Sequence, residues 1–344
     1  MEHRPTIKDV AAVAGVHHTT VSLALRNHPS IPETTRARIR AAAEQVHYRP
    51  DPMLASLMTY RRGLKPSQRQ PVVAWVTNHP TRHRWKQTRV FQDLFNGAAA
   101  RAEQLGYRLE EFWLREGGMS LGRAHQILST RNISALLLAP QPTAGMSLEL
   151  PWEHYCAVTF GYTLAEPRLH LVSNHQFASM ILLVQRLRGL GYRRIGLALP
   201  ADVDRRVHHG WLGGYLAELA HVPRPQRLQP WLFEDFSVPQ LRAWLERAKP
   251  DVLITPTERI WAEVPKLGYR VPGDLGLAHP SVPSPDSGCS GIDESSADIG
   301  AAAMSQLAGL WQHHERGVPA VPQRLLIEGR WCPGRTVRAA PGGE

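Results

Sequence analysis

The sequence predicts a small all-α unit at the N-terminus, followed by an α/β body built of two parallel-sheet lobes with helices on both faces. Three observations carry this prediction. Residues 6–26 hold two short helical periods joined at a glycine. From Val72 onward, short apolar runs alternate with amphipathic stretches, the texture of strand–helix–strand units. Gly106-Tyr107 and Gly191-Tyr192 each fall where a helix must end before the next strand, which hints at an internal repeat.

The bulk properties narrow the function classes. The chain has 344 residues and a formal net charge of +10. Half of that charge lies in residues 1–66, and a basic balance of this kind favours a polyanionic partner. Cys156, Cys289 and Cys332 are far apart and odd in number, so neither a disulfide framework nor a zinc site is read from them. There is no Gly-rich phosphate loop, nucleophile elbow or metal cluster, and Gly210-Trp211-Leu212-Gly213-Gly214 is too loose for a dinucleotide fingerprint. No enzyme activity and no cofactor are therefore expected. The N-terminus lacks an apolar signal region and no run reaches membrane-spanning length, so a cytoplasmic protein without membrane contact is expected.

In order along the chain, Thr6 suits a helix cap and Asp9 suits the first turn. Ile7, Val10, Ala11 and Ala14 recur at helical spacing and face one core. Gly15 fits a left-handed C-cap, and Val16 opens a tight turn. In the second helix Val21, Ala24 and Leu25 point inward. His18, Thr19, Ser22, Leu23 and Arg26 point outward, on the face that a helix-turn-helix presents to the major groove. After the breaker-rich turn 27–32, a third helix is expected from Pro32 to about His47, with Ile39, Ala42, Ala43 and Val46 inside. Asp51 and Pro52 then cap and start a short apolar helix, Met53 to Tyr60, which needs a partner to be stable. Residues 63–71 are a polar linker bounded by prolines.

In the body the expected strands are Val72–Val76, Ala135–Ala139, Ala157–Phe160, Ile195–Leu199, Val252–Thr255 and Leu275–Ala278. Helices are expected over 91–105, 121–131, 176–190, 211–220, 238–248 and 259–267. Ligands of open α/β sheets bind beyond the carboxyl ends of the strands. That rule selects Asn78, His79, Tyr162, Asn174, His209, Phe236, Thr257 and His279.

Residues 6–62 closely resemble the DNA-binding headpiece of the LacI/GalR family. The diagnostic pieces are Thr-Ile-Lys-Asp-Val-Ala at 6–11, Ala-Gly-Val at 14–16, Thr-Val-Ser at 20–22, and Tyr-Arg-Pro with the hinge segment at 48–60. Further on, Gly189–Ile195 and Leu267–Leu275 resemble patterns of the family's periplasmic-binding-protein-like effector domain. The resemblance implies a transcriptional regulator, more often a repressor. It would bind a near-palindromic operator as a homodimer and respond to a small molecule, a sugar or derivative, in the cleft between lobes. It also implies paired hinge helices in the minor groove, with Leu57 at the intercalating position and Leu54 beside it. His18, Thr19 and Leu23 stand at the base-reading positions, and His17 replaces the usual capping serine. Thr6, Ser22, Arg26 and Tyr48 complete the implied DNA-contacting set.

The implied division is a headpiece with hinge helix at 1–62, a linker at 63–71, the body at 72–335 and a tail at 336–344. Lobe 1 takes about 72–168 and 293–319, and lobe 2 about 169–292 and 320–335. Phe236 matches an aromatic that stacks on the effector in family members. The carboxylates that clamp sugar hydroxyls are largely missing: Gly161, Pro256-Thr257 and Pro280-Ser281-Val282 stand in their places. The family's cleft arginine is replaced by His208 or His209, or supplied by Arg205 or Arg206; the sequence leaves both open. Two alternatives stand beside the regulator: a solute-binding protein with no DNA role, and a regulator whose cleft no longer takes an effector.

Overall fold

The computed structural model describes residues 5–25, 31–46, 48 and 70–339. The expected hinge helix, nearly all of the linker, and Arg26, Leu54 and Leu57 lie outside the described residues.

The headpiece is three helices around one small core. In α1 (Ile7–Ala14) the Asp9 carboxylate accepts from both the backbone N–H and the hydroxyl of Thr6, at 2.7 Å each, tying down the first turn. Gly15 ends α1 at φ +62°, a conformation in which a side chain is strained. The chain turns into α2 (His18–Leu25), whose first turn is closed by the Thr20 and Val21 N–H groups bonding His17 O. Val21 and Ala24 meet Val10 and Ala14 of α1 and Ile39, Ala42 and Ala43 of α3 (Glu33–Gln45). The third helix thus begins one residue after Pro32 and stops two before His47. Val10, Val21 and Ile39 are fully buried.

The body is two six-stranded sheets. The first has the order β13-β7-β5-β3-β1-β2, all neighbours parallel. Its strands are β1 (Val72–Thr77), β2 (Arg108–Trp113), β3 (Ala135–Leu138), β5 (Cys156–Phe160), β7 (His170–Asn174) and β13 (Arg324–Ile327). A small ribbon of β4 (Met146–Ser147) and β6 (Leu164–Glu166) lies apart. The second sheet has the order β14-β12-β11-β10-β8-β9. It comprises β8 (Ile195–Pro200), β9 (Trp231–Phe233), β10 (Val252–Ile254), β11 (Gly276–His279), β12 (Ser290–Asp293) and an antiparallel edge, β14 (Arg330–Cys332). The helices of lobe 1 are α4 (Arg89–Gln104), α5 (Leu121–Thr130) and α11 (Ser296–Gln312). Those of lobe 2 are α6 (Gln176–Gly189), α7 (Ala201–Arg206), α8 (Gly210–Leu219), α9 (Val238–Ala248) and α10 (Glu258–Lys266). The six helices expected between the strands of the body are each present to within about two residues.

The same local sentence closes three helices. Leu105-Gly106-Tyr107, Leu190-Gly191-Tyr192 and Leu267-Gly268-Tyr269 each put the glycine at positive φ, at +80°, +87° and +95°. In each, the tyrosine N–H reaches back to a carbonyl of the last turn: Ala102, Leu187 and Val264. Elsewhere glycine serves close approach. A Cβ on Gly97 of α4 would lie 1.9 Å from the Ala297 carbonyl oxygen, and one on Gly300 of α11 2.0 Å from that of Leu94. These two helices cross backbone to backbone.

The lobe boundaries differ from those expected. His170–Asn174, assigned to lobe 2, pairs with β5 in the first sheet, so the first crossing follows Asn174 rather than 168. Arg324–Ile327 pairs with β7, so the last crossing lies between Ile327 and Arg330 rather than near 320. The second crossing follows β12, which ends at Asp293. The tail also begins too early at 336. The Leu277 N–H donates to Thr336 O, the Ser290 N–H to Thr336 Oγ1, and Val337 is buried in the lobe 2 core. Arg338 stacks over Tyr192 and donates its N–H to the phenol oxygen. These segments were missed because crossover strands and chain ends have too few residues to show a periodicity. None of the three cysteines forms a disulfide.

Candidate functional site

Two surfaces hold the expected site residues. On the headpiece, the core side of α2 is closed, and the opposite side is polar and open. His17, His18 and Thr19 are exposed, and Ser22 and Leu23 are half-exposed. The His17 and His18 rings lie 4.1 Å apart, and His17 Nδ1 shares a 2.8 Å hydrogen bond with the Thr19 hydroxyl. The imidazole of His17 thus bonds one of the expected base readers instead of leaving the position bare. Thr6 is exposed, its hydroxyl engaged by Asp9. Tyr48 packs against the headpiece core, and its N–H bonds Ala43 O.

In the body, the expected residues separate into groups. Around the ends of β1 and β3, Asn78 accepts from Arg115 Nε at 3.0 Å and faces the Gln141 side chain. His79 is buried, donates Nε2–H to Pro140 O at 3.1 Å, and is held from behind by the Trp113 indole. Burial, with the fields of Arg206, Arg84 and Arg115, lowers its pKa. The Gln141 N–H is fixed by the Thr163 hydroxyl, one residue past Tyr162. Tyr162 is sandwiched: His208 stacks on it at 5.1 Å with 15° between planes, and Arg324 stands 5.5 Å from its ring centre.

Arg205, Arg206, His208 and His209 take different partners. Arg205 turns to Glu234 within lobe 2. Arg206 reaches across to lobe 1, where its Nη1 donates to the carbonyls of Gln141 and Pro142 at 3.2 and 2.7 Å. Burial lowers its pKa, partly opposed by Asp202. His208 and His209 both have left-handed backbones, φ +53° and +58°, a strained pair for non-glycine residues. The turn is held by buried Asp204, whose carboxylate takes the His209 Nδ1 proton bond at 2.7 Å and whose carbonyl takes the His209 N–H. The pair of strained histidines therefore aims His208 at Tyr162.

The remaining expected residues belong to local networks. Asn174 donates to Ile327 O, fastening β7 to β13, and accepts from the Ser179 hydroxyl of α6. Phe236 lies against Trp231 and Phe233, under the Arg259 guanidinium at 4.8 Å. Thr257 caps α10, and its buried hydroxyl has no partner among the described residues. His279 is buried; it bonds the Pro256 backbone, and its Nδ1 accepts from the Ser281 N–H at 3.0 Å. Burial brings its pKa down to about 4. Sequence reasoning did not select Arg84, Phe91, Arg115 or Gln141. Arg115 and Gln141 lie in loops and Arg84 in the short 3-10 turn Arg84–Gln87, where no run is long enough to show a periodicity; Phe91 lies near the start of α4.

Fold and surfaces together define a class: a helix-turn-helix headpiece ahead of a two-lobed, periplasmic-binding-protein-like body. Residues 6–51 match the model of bacterial regulatory proteins, lacI family. This match is confined to the headpiece. A probable HTH-type transcriptional repressor ExuR of Bacillus subtilis (strain 168) is 52% identical over 52 residues, 15% of this chain and 16% of that protein. A PurR repressor of Klebsiella pneumoniae is 24% identical over 229 residues, 64% of this chain and 62% of its own length. The chain thus spans less than two thirds of the curated relatives it matches. Among solved structures, the regulator CelR in complex with cellobiose is 20% identical with a TM-score of 0.55, covering 97% of this chain and all of that one. The lac repressor dimer bound to operator and the anti-inducer ONPF is 16% identical with a TM-score of 0.55, covering 98% and 100%. These two establish the fold. No helix among the described residues is long and apolar enough to cross a membrane.

Proposed function

We propose that this protein is a DNA-binding transcriptional regulator, acting as a repressor in the cytoplasm. It binds a near-palindromic operator as a homodimer and is modulated by a small molecule in the interlobe cleft. The observation that carries this reading is the outer face of α2: His17, His18, Thr19, Ser22 and Leu23 stand on the solvent side of a helix whose other side is sealed by Val21 and Ala24. Leu23 offers an apolar contact to a thymine methyl, where an arginine would pair with guanine. The hinge segment, with Leu54 and Leu57, supplies the minor-groove wedge in this reading. In the body, Arg206 and His208 link the lobes, so a ligand that binds the closed and open arrangements differently shifts the balance between them.

The test is selection of duplexes from a random DNA pool by the purified protein at fixed moderate salt. The expected result is a two-fold-related site with half-sites about one helical turn apart. Recovery of no motif by wild-type protein, with or without cell-extract metabolites, refutes the reading.

A further inference from the structure

The lobe 1 side of the cleft contains a cavity of about 380 Å³ whose walls include His79, Arg84, Thr88 and Phe91, with Arg206 entering from lobe 2. Its volume suits a small metabolite. Its chemistry does not suit a neutral polyol. Hydroxyl recognition uses carboxylates as acceptors, and no carboxylate lines this cavity. Two guanidinium groups do, and guanidinium can only donate. Thr88 adds the positive end of the sixteen-residue α4. Phe91, half-buried and 6.1 Å from the His79 ring, supplies an apolar wall.

We propose that the cavity binds a small molecule bearing an oxyanion, a carboxylate or phosphate group, with the anionic group at Arg84 and Arg206 and the carbon skeleton against Phe91. This rests on the reading of the cleft as an effector site and names its ligand class. The field around His79 agrees: three guanidinium groups, Arg206, Arg84 and Arg115, act on it together. The coupling follows from Arg206, which already ties the lobes through the Gln141 and Pro142 carbonyls. An anion held there bridges Arg206 of lobe 2 to Arg84 of lobe 1 and so favours the arrangement in which the lobes meet.

The experiment titrates the full chain with inorganic phosphate, glucose 6-phosphate, glucuronate and glucose at constant ionic strength, reading thermal stability and calorimetric heat. Saturable binding of at least one anionic probe is expected, with glucose weaker by about tenfold or more. Arg84→Gln, on an exposed side chain, is expected to weaken the anionic probe by about tenfold while leaving the melting temperature without ligand unchanged. Arg206→Gln should weaken it as well. A glucose response equal to that of the anions, no saturable response to any anion, or anion binding unaltered in both variants overturns the proposal. Operator binding is measured on the same preparations. If wild type selects an operator but ignores anions, the anion proposal alone fails; if it selects none, the regulator reading fails.

Discussion

On the headpiece, the candidate residues stand outside a finished core, and little of the fold's own bonding involves them. In the cleft, the fold consumes many of the candidates: Asn174 fastens two crossing strands, His279 is bonded on both ring nitrogens, and His209 is held by Asp204. The difference is one of burial. A polar group removed from water must find a partner inside the protein, so buried polar candidates are committed before any ligand arrives. A three-helix surface imposes no such demand. A headpiece therefore varies its specificity at little cost in stability, whereas a cleft residue usually serves both structure and binding.

The largest expected effect breaks the headpiece alone. Val21 is fully buried in a core of very few residues. Val21→Asp places an unpaired charge there and should cost more than about 4 kcal/mol, beyond what a unit of this size holds in reserve. Operator binding should vanish in fluorescence anisotropy while the body keeps its thermal transition. A variant with normal operator affinity would refute the core assignment.

Gly97→Ala reverses the pattern. Its Cβ would meet the Ala297 backbone at 1.9 Å, where α4 and α11 touch. A cost of about 3 kcal/mol is expected in denaturant titration of the body, with headpiece helicity and nonspecific DNA binding retained. An unchanged midpoint would show that the helices separate freely.

His279 sharpens the cleft side through pH. Its folded pKa, about 4, lies below the ordinary 6.5, because burial disfavours the cation. Between those values the unfolded chain takes up a proton that the folded chain refuses. Stability present above pH 6.5 is therefore lost as pH falls toward 4, by up to about 3 kcal/mol. Glu294, raised by burial to about 7, acts in the opposite direction between its ordinary 4.5 and 7. The wild-type-minus-variant difference isolates the histidine. His279→Asn should flatten the decline of melting temperature from pH 6.5 to 4, and parallel curves for the two proteins would exclude His279 as its source.

The smallest effect on the fold is expected from Leu23→Arg on the open face of α2. Stability should change by less than about 0.5 kcal/mol. Base preference at one operator position should move toward guanine by about 1–2 kcal/mol. Identical selected motifs for the two proteins would remove position 23 from the readers.

The headpiece was legible residue by residue, because its helices are marked by local signals: Thr6 with Asp9, Gly15, and apolar spacing that falls on one face. The alternation of the body was equally plain, and the recurring Leu-Gly-Tyr closings show how strongly a single left-handed position punctuates a chain. The lobe boundaries were not legible. Whether His170–Asn174 and Arg324–Ile327 join the first or the second sheet depends on partners about 150 residues apart, and nothing within five residues encodes that. The cleft was legible only as a set of strand ends. That Arg206 rather than Arg205 crosses to lobe 1, and that Arg84 and Phe91 share its cavity, was decided by the end of α7, a short 3-10 turn and the start of α4 meeting in space. Sequence alone determined the elements and their caps, since these arise from interactions within a few residues. Tertiary structure alone decided which polar groups are spent on the fold and which remain for a ligand, since desolvation depends on everything packed around them.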